Sequence, residues 1–179
     1  MRRILKAYKF EFYRGDSFQV WLKNAEVALQ VALLCRAAAI SASPDEGTFL
    51  ADIRVSIGIA KTATPRASLG AAKGEPFVLS GRAFDELVKK DTRLVITSAN
   101  ALANTGLQVI ADHINSIFKV ITSKQSEVIF ELLKGSSQTE VANTLRKSKS
   151  TISQHVSSGR WGEIERLLKH FQSIINQLV

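Results

Sequence analysis

Residues 137–158 read SQTEVANTLRKSKSTISQHVSS, and this stretch decides how the second part of the chain is built. Ser137, followed three residues on by Glu140, fits a capping box, in which a hydroxyl and a carboxylate satisfy the free amides at a helix start. Val141, Ala142 and Leu145 then form one apolar face, with the small Ala142 allowing close helix contact. The pattern breaks at Lys147-Ser148. A further helix starts near Ser148 and turns Ile152 and Val156 inward, one turn apart. Upstream, Thr122 and Gln125 make a second capping box, and Val128, Ile129, Leu132 and Leu133 form an apolar face ended by Gly135. Three short helices on one small core describe a helix-turn-helix unit.

The last of these helices carries the chemistry. With Ile152 and Val156 facing the core, Lys149, Ser150, Ser153, Gln154 and Ser157 face outward, a surface of short hydrogen-bonding groups that suits a DNA major groove. Gln pairs with adenine through N6 and N7, Lys reaches guanine or phosphate, and Ser binds either. Thr151 and the free amides at the helix start are placed for the phosphate backbone. Arg146, Lys147 and Arg160 flank the face and add salt-dependent phosphate contacts. The competing reading is a polar solvent face on a helical bundle.

Composition bounds the partners. The chain has 179 residues, 45% of them hydrophobic, enough for a buried core. Its net charge is +8, and division after Val120 leaves +5 before and +3 after. Both parts therefore ask for an acidic partner. The opening MRRILKAYKFEFYRGD lacks a secretory signal pattern. The most apolar run, residues 27–40 (VALQVALLCRAAAI), is interrupted by Gln30 and Arg36 and is shorter than the roughly 20 residues a membrane span requires. It reads as a buried amphipathic helix. The single cysteine, Cys35, lies within it as core filler, and these features point to the cytoplasm.

The first part of the chain is mixed in texture. Strands are expected at 8–14 and 17–22, a helix over about 24–39, a Pro/Asp/Gly loop at 43–47 and a strand in IRVSIGIA, where Ile53, Val55, Ile57 and Ile59 alternate with Arg54, Ser56 and Gly58. A Gly/Pro/Ala-rich stretch follows over 61–76. Next come a helix near 77–89, a strand at 93–97 and a helix over about 99–120, whose Leu107, Ile110, Ile114 and Ile117 form one stripe. The tripeptide Arg14-Gly15-Asp16 matches an extracellular adhesion motif, but it sits between alternating Phe10, Phe12, Phe18 and Val20, as a hairpin turn would. The final stretch 161–179 carries an apolar stripe from Trp161 to Leu178, expected to pack as core or dimer contact against the helix ending near Val120.

Both parts resemble known families. Residues 121–160, with Thr122-Ser123-Lys124-Gln125, Thr139-Glu140-Val141-Ala142 and Ser150-Thr151-Ile152-Ser153-Gln154-His155-Val156, resemble the LuxR-type and sigma-like helix-turn-helix domains. That resemblance implies a DNA-reading role for the third helix, and a structural or phosphate-facing one for His155. Residues 8–98, through YRGDSFQV, ADIRVSIGIA, GEPFVLSGRAFDEL and LVITS, look like the SatD family and more distantly like class III nucleotidyl cyclases. The implied fold is α+β: a ferredoxin-like, cyclase-like antiparallel sheet domain, its first strand wanting, followed by an all-α helix-turn-helix domain.

Cyclase chemistry does not come with that resemblance. Such enzymes hold two metal ions with two carboxylates from neighbouring strands. Asp16 matches one; the chain starts too late to contain the strand of the other. Arg82 aligns with the arginine that steadies the transition state, while Val78 stands where an asparagine is expected. A nucleotide or other phosphorylated ligand on Asp16, Arg54, Lys73 and Arg82 is one reading of the remaining set. The other gives these residues turn, edge and surface roles, with Gly58 letting the sheet approach its neighbour. The unpaired edge left by the wanting strand implies either a shortened form or cover by a second copy.

His113, His155 and His170 show no ligand spacing, and neither a metal site nor a cofactor is expected. The expectation is therefore a cytoplasmic, homodimeric DNA-binding transcriptional regulator. Residues 1–120 would serve dimerisation and ligand sensing, and residues 121–179 would bind double-stranded DNA without membrane contact. The alternative is a nucleotide-handling protein with an accessory helical domain.

Overall fold

The computed structural model describes residues 1–13, 15–43, 51–66 and 68–178. Arg14 of the hairpin turn and most of the expected 43–47 loop fall outside them. After a short helix α1 (Arg2–Leu5), strands β1 (Lys9–Phe12) and β2 (Phe18–Trp21) pair antiparallel. Phe10 faces Val20, and Phe12 faces Phe18. Gly15, with φ of +79°, supplies the left-handed turn conformation, and Asp16 follows it exposed. This is the hairpin the alternation predicts.

Helix α2 (Ala28–Ser41) is entered through Asn24, whose side chain accepts the Glu26 amide. The sequence suggests an amphipathic helix, yet α2 is buried on most of its circumference. Leu29, Leu33, Ala37 and Ile40 join the main core, while Val31 and Cys35 pack with Leu5 beneath the hairpin. A run with only Gln30 and Arg36 as long polar side chains has no polar face to give to water. Cys35 is core filler as expected, and burial pushes its thiol up to about 11.

Strands β3 (Val55–Ile59) and β4 (Leu94–Ser98) pair in parallel, joined by helix α3 (Glu75–Val88). This corrects the expected single antiparallel sheet. The described strands form two separate two-stranded sheets. A helical crossover returns the chain in the same direction, so the strands it joins come out parallel. The hairpin, instead of extending that sheet, lays its apolar side over α2. Gly58 does admit close approach: a Cβ there would lie 2.2 Å from the Pro76 carbonyl oxygen and 2.7 Å from the Ser80 amide nitrogen. Only a strand without a side chain at 58 lets α3 sit this near.

Helix α4 (Ala101–Phe118), capped by Asn100, buries the predicted stripe of Leu107, Ile110, Ile114 and Ile117. Four helices follow: α5 (Ser123–Leu133), α6 (Gln138–Leu145), α7 (Lys149–Ser158) and α8 (Trp161–Ile175). The apolar face of α8, with Ile164, Leu167, Phe171 and Ile175, packs on α4 as the spacing suggests. The main core crosses the change of texture at 120/121, because Ile129, Leu133 and the α8 stripe share it with α2, β3, β4 and α4. Among the described residues, no helix is long and apolar enough to cross a membrane.

A charged group lies inside this core. Arg36, 1% exposed, donates to both Asp52 carboxylate oxygens, at 3.1 Å from Nε and 2.6 Å from Nη2. Nη1 reaches the Asn115 side-chain oxygen at 3.3 Å, and the guanidinium lies 4.6 Å from the Phe118 ring centre. Asn115 in turn donates to the Leu94 carbonyl and accepts the Arg93 amide. Removing one partner of such a pair strands the other charge, at a cost of about 3–5 kcal/mol. Asp52→Asn is therefore expected to lower unfolding stability by about 3 kcal/mol or more in urea titration; a loss below about 0.5 kcal/mol would mean that the pair is not a structural anchor.

Candidate nucleic-acid interface

Both predicted capping boxes form. Thr122 accepts the Gln125 amide while the Gln125 side chain accepts the Thr122 amide, and Ser137 and Glu140 do the same at α6. Backbone and side-chain bonds from Ser137 hold the Glu140 carboxyl below its ordinary range. Helix α6 ends at Arg146, whose φ of +53° is left-handed, and the Lys147 amide turns back to the Ala142 carbonyl at 3.0 Å. The chain thus reverses within three residues. Ser148 then caps α7 by accepting the Thr151 amide at 3.1 Å.

A small core fixes these helices. Val128, Leu132, Val141, Ala142 and Ile152 are buried together, with Leu145, Val156 and Trp161 packed against them. Of the set the spacing predicts, Ile129 and Leu133 turn instead into the main core, while Trp161 is added. A polar tie missed in the sequence joins the two ends of the unit: Gln125 Nε2 donates to the Ser158 hydroxyl at 3.0 Å, and Ser158 donates to the Gln154 carbonyl at 2.8 Å. At Gly159 a Cβ would meet the His155 carbonyl at 2.7 Å and Ile129 at 3.0 Å, so α7 closes tightly on α5.

The outer face of α7 is as anticipated. Lys149, Ser150, Ser153, Gln154 and Ser157 are exposed, as is Arg146 in the preceding turn. Thr151 is half-buried, and its hydroxyl lies 2.8 Å from that of Ser148, which also meets Ser150 at 2.8 Å. Residues 146–160 contain four Arg or Lys and no Asp or Glu. The result is a basic, hydroxyl-rich ridge beginning at a helix start, where backbone amides favour anions.

Two flanking residues differ from expectation. Lys147 is largely covered and sits 4.0 Å from Glu127. Arg160, placed on the phosphate side in the sequence reading, is instead held by Glu163, with Nε at 2.8 Å and Nη2 at 2.7 Å. His113 of α4 shares that carboxylate at 2.9 Å. This trio fastens the α7–α8 turn to α4. A charge already bonded to two carboxylate oxygens is not free for a phosphate without losing them. The pairing could be anticipated from Arg160 and Glu163 lying three residues apart; the contribution of His113, 50 residues away, carries no sequence signal.

The four residues of the ligand reading are dispersed. Asp16 lies in the hairpin turn and Arg82 on the open side of α3. Arg54 directly precedes β3, whereas Lys73 adjoins Gly74, which packs against Thr62 beyond the other end of that strand. No hydrogen bond or ion pair links any of the four, and no cluster of three or more His, Cys, Asp or Glu residues is suited to a metal among the described residues.

In comparisons with known proteins, no family model matches the chain, and neither a curated protein nor a solved structure matches it significantly.

The Glu163 contact carries a pH signature. Arg160 first, and His113 second, hold its carboxyl at about 2, below the ordinary 4.5. A depressed carboxyl stabilises the fold above the unfolded-state value and loses that contribution as pH falls toward the folded one. Wild type and Glu163→Gln are expected to differ most in urea midpoint above pH 4.5 and to converge toward pH 2; a difference independent of pH would contradict the ion-pair role.

Proposed function

We propose that the protein is a DNA-binding transcriptional regulator in which α7 is the recognition helix. The observation that carries this reading is the exposed face of α7, whose Lys149, Ser150, Ser153, Gln154 and Ser157 stand on a packed three-helix base. Ser153 and Gln154 read base edges, with Gln154 directed to adenine. Lys149 meets guanine or phosphate, and Arg146 and the α7 amides fix the register on the backbone. Lys147 and Arg160 act mainly by shaping the turns at either end. The chain works in the cytoplasm as a homodimer, and residues 1–120 set the spacing of the two recognition helices.

The helix-turn-helix resemblance supports this reading through residues that make the caps and core of α5–α7. For the cyclase-like resemblance of the first part, the element order agrees (hairpin, helix, strand, helix, strand), while the strand pairing, in two separate sheets, does not. In this proposal that part is not an enzyme and needs no cofactor. Ligand sensing at Asp16, Arg54, Lys73 and Arg82 has less support, since nothing in the described contacts brings the four to one site.

Fluorescence anisotropy with genomic DNA fragments, including the stretch upstream of its own gene, tests the proposal. Tight binding to a few fragments is expected to weaken steeply with salt. Gln154→Ala should cost about 1–3 kcal/mol on preferred fragments and narrow their advantage over others. Arg146→Ala, as a phosphate contact, should weaken all fragments alike and reduce the salt slope by about 1. No binding to any fragment at low salt would overturn the reading.

A further inference from the structure

Helix α3 is half used by the fold. One side lies on β3, where Ser56 donates to the Ser80 carbonyl at 2.8 Å and Gly58 meets Pro76 and Ser80. The other side carries an apolar stripe that, among the described residues, is left partly exposed. Phe77, Gly81, Phe84 and Val88 follow at intervals of four, three and four residues, the spacing of a helix seam. Phe84 is 39% exposed, and Val78 and Val88 are each 49% exposed. Phe77 leans on Trp21 with ring centres 5.7 Å apart, and the surface beside it continues to the open side of the helix. At Gly81 a Cβ would find nothing within 4 Å, so the stripe has a notch at its middle next to a protruding ring.

We infer that this face pairs with α3 of a second copy of the chain, antiparallel, about a two-fold axis near residues 82 and 83. The stripe is complementary to itself in that arrangement. Phe84 of each copy enters the notch at Gly81 of the other, and Val88 meets Phe77 and Val78. The charges agree as well. Arg82 comes beside Asp85 of the other copy, a contact made twice, as an isologous interface requires. Among the described residues, Arg82 and Asp85 have no hydrogen bond or ion pair, and Asp85 has only the more distant charge of Lys89, which is bonded to its neighbour Glu86. An exposed apolar stripe edged by charges of both signs in this order fits its own copy better than an unrelated acidic or basic partner.

This inference identifies the surface behind the proposed homodimer, and its test needs no DNA, so failure here leaves the reading of α7 standing. Sedimentation velocity at tens of micromolar would compare wild type with Arg82→Asp and Asp85→Arg. Each single change sets like charges against each other on both sides of the two-fold axis. Wild type is expected at twice the chain mass and each variant at once that mass. In an equimolar mixture, the reversed charges face their opposites and a mixed dimer re-forms. That recovery also shows that both variants remain folded. A monomeric wild type, dimers persisting in both single variants, or a mixture that stays monomeric would each overturn the α3 pairing.

Discussion

A guanidinium sealed inside an apolar core has to be matched by charge and hydrogen bonds, and Arg36 is matched by two separate parts of the chain. Asp52 comes from the segment entering β3, and Asn115 and Phe118 come from α4. Asn115 extends the network to the backbone of Arg93 and Leu94 at the start of β4. Apolar contacts alone tolerate sliding, whereas a planar guanidinium on a carboxylate fixes angle as well as distance. Helix α2, the small parallel sheet and α4 are thereby held in one relation.

That relation reaches α7 through α2. Ser126 of α5 donates to the Ala37 carbonyl at 3.1 Å in a buried contact, and Gln30 of α2 donates to the Leu133 carbonyl at 2.7 Å. Helix α5 is thus seated on α2 at both ends, and α7 is seated on α5 by Ile152, Gly159 and the bond from Gln125 to Ser158. The Glu163 trio adds a second route, from α4 to the turn after α7. The proposed docking of this surface in a groove would gain from such support, since loose positioning weakens several directional bonds at once.

Local signals in the sequence were the readable ones. Thr122 with Gln125 and Ser137 with Glu140 announce helix starts, because the capping chemistry lies within three residues. Strand alternation around Gly58 and the stripe of α4 are equally local. What stayed hidden depends on partners far along the chain. Arg36 gave a partial signal, being the one charge in an apolar run, but nothing identified Asp52 or Asn115 as its answer. The separation into two sheets also escaped the alternation pattern, which marks strands without saying which strands pair. Likewise the exposed face of α7 was legible from Ile152 and Val156, whereas the capture of Arg160 by Glu163 and His113 was not.

The central claim is that the outer face of α7, carried on this scaffold, is the surface that meets DNA. Backbone amide NMR of the full chain, titrated with a DNA duplex it prefers, addresses it most directly. The account predicts the largest shifts at Lys149, Ser150, Ser153, Gln154 and Ser157, with smaller ones at Arg146 and no change across the hairpin. Shifts centred on β1, β2 or the 61–76 stretch, with α7 unmoved, would contradict it.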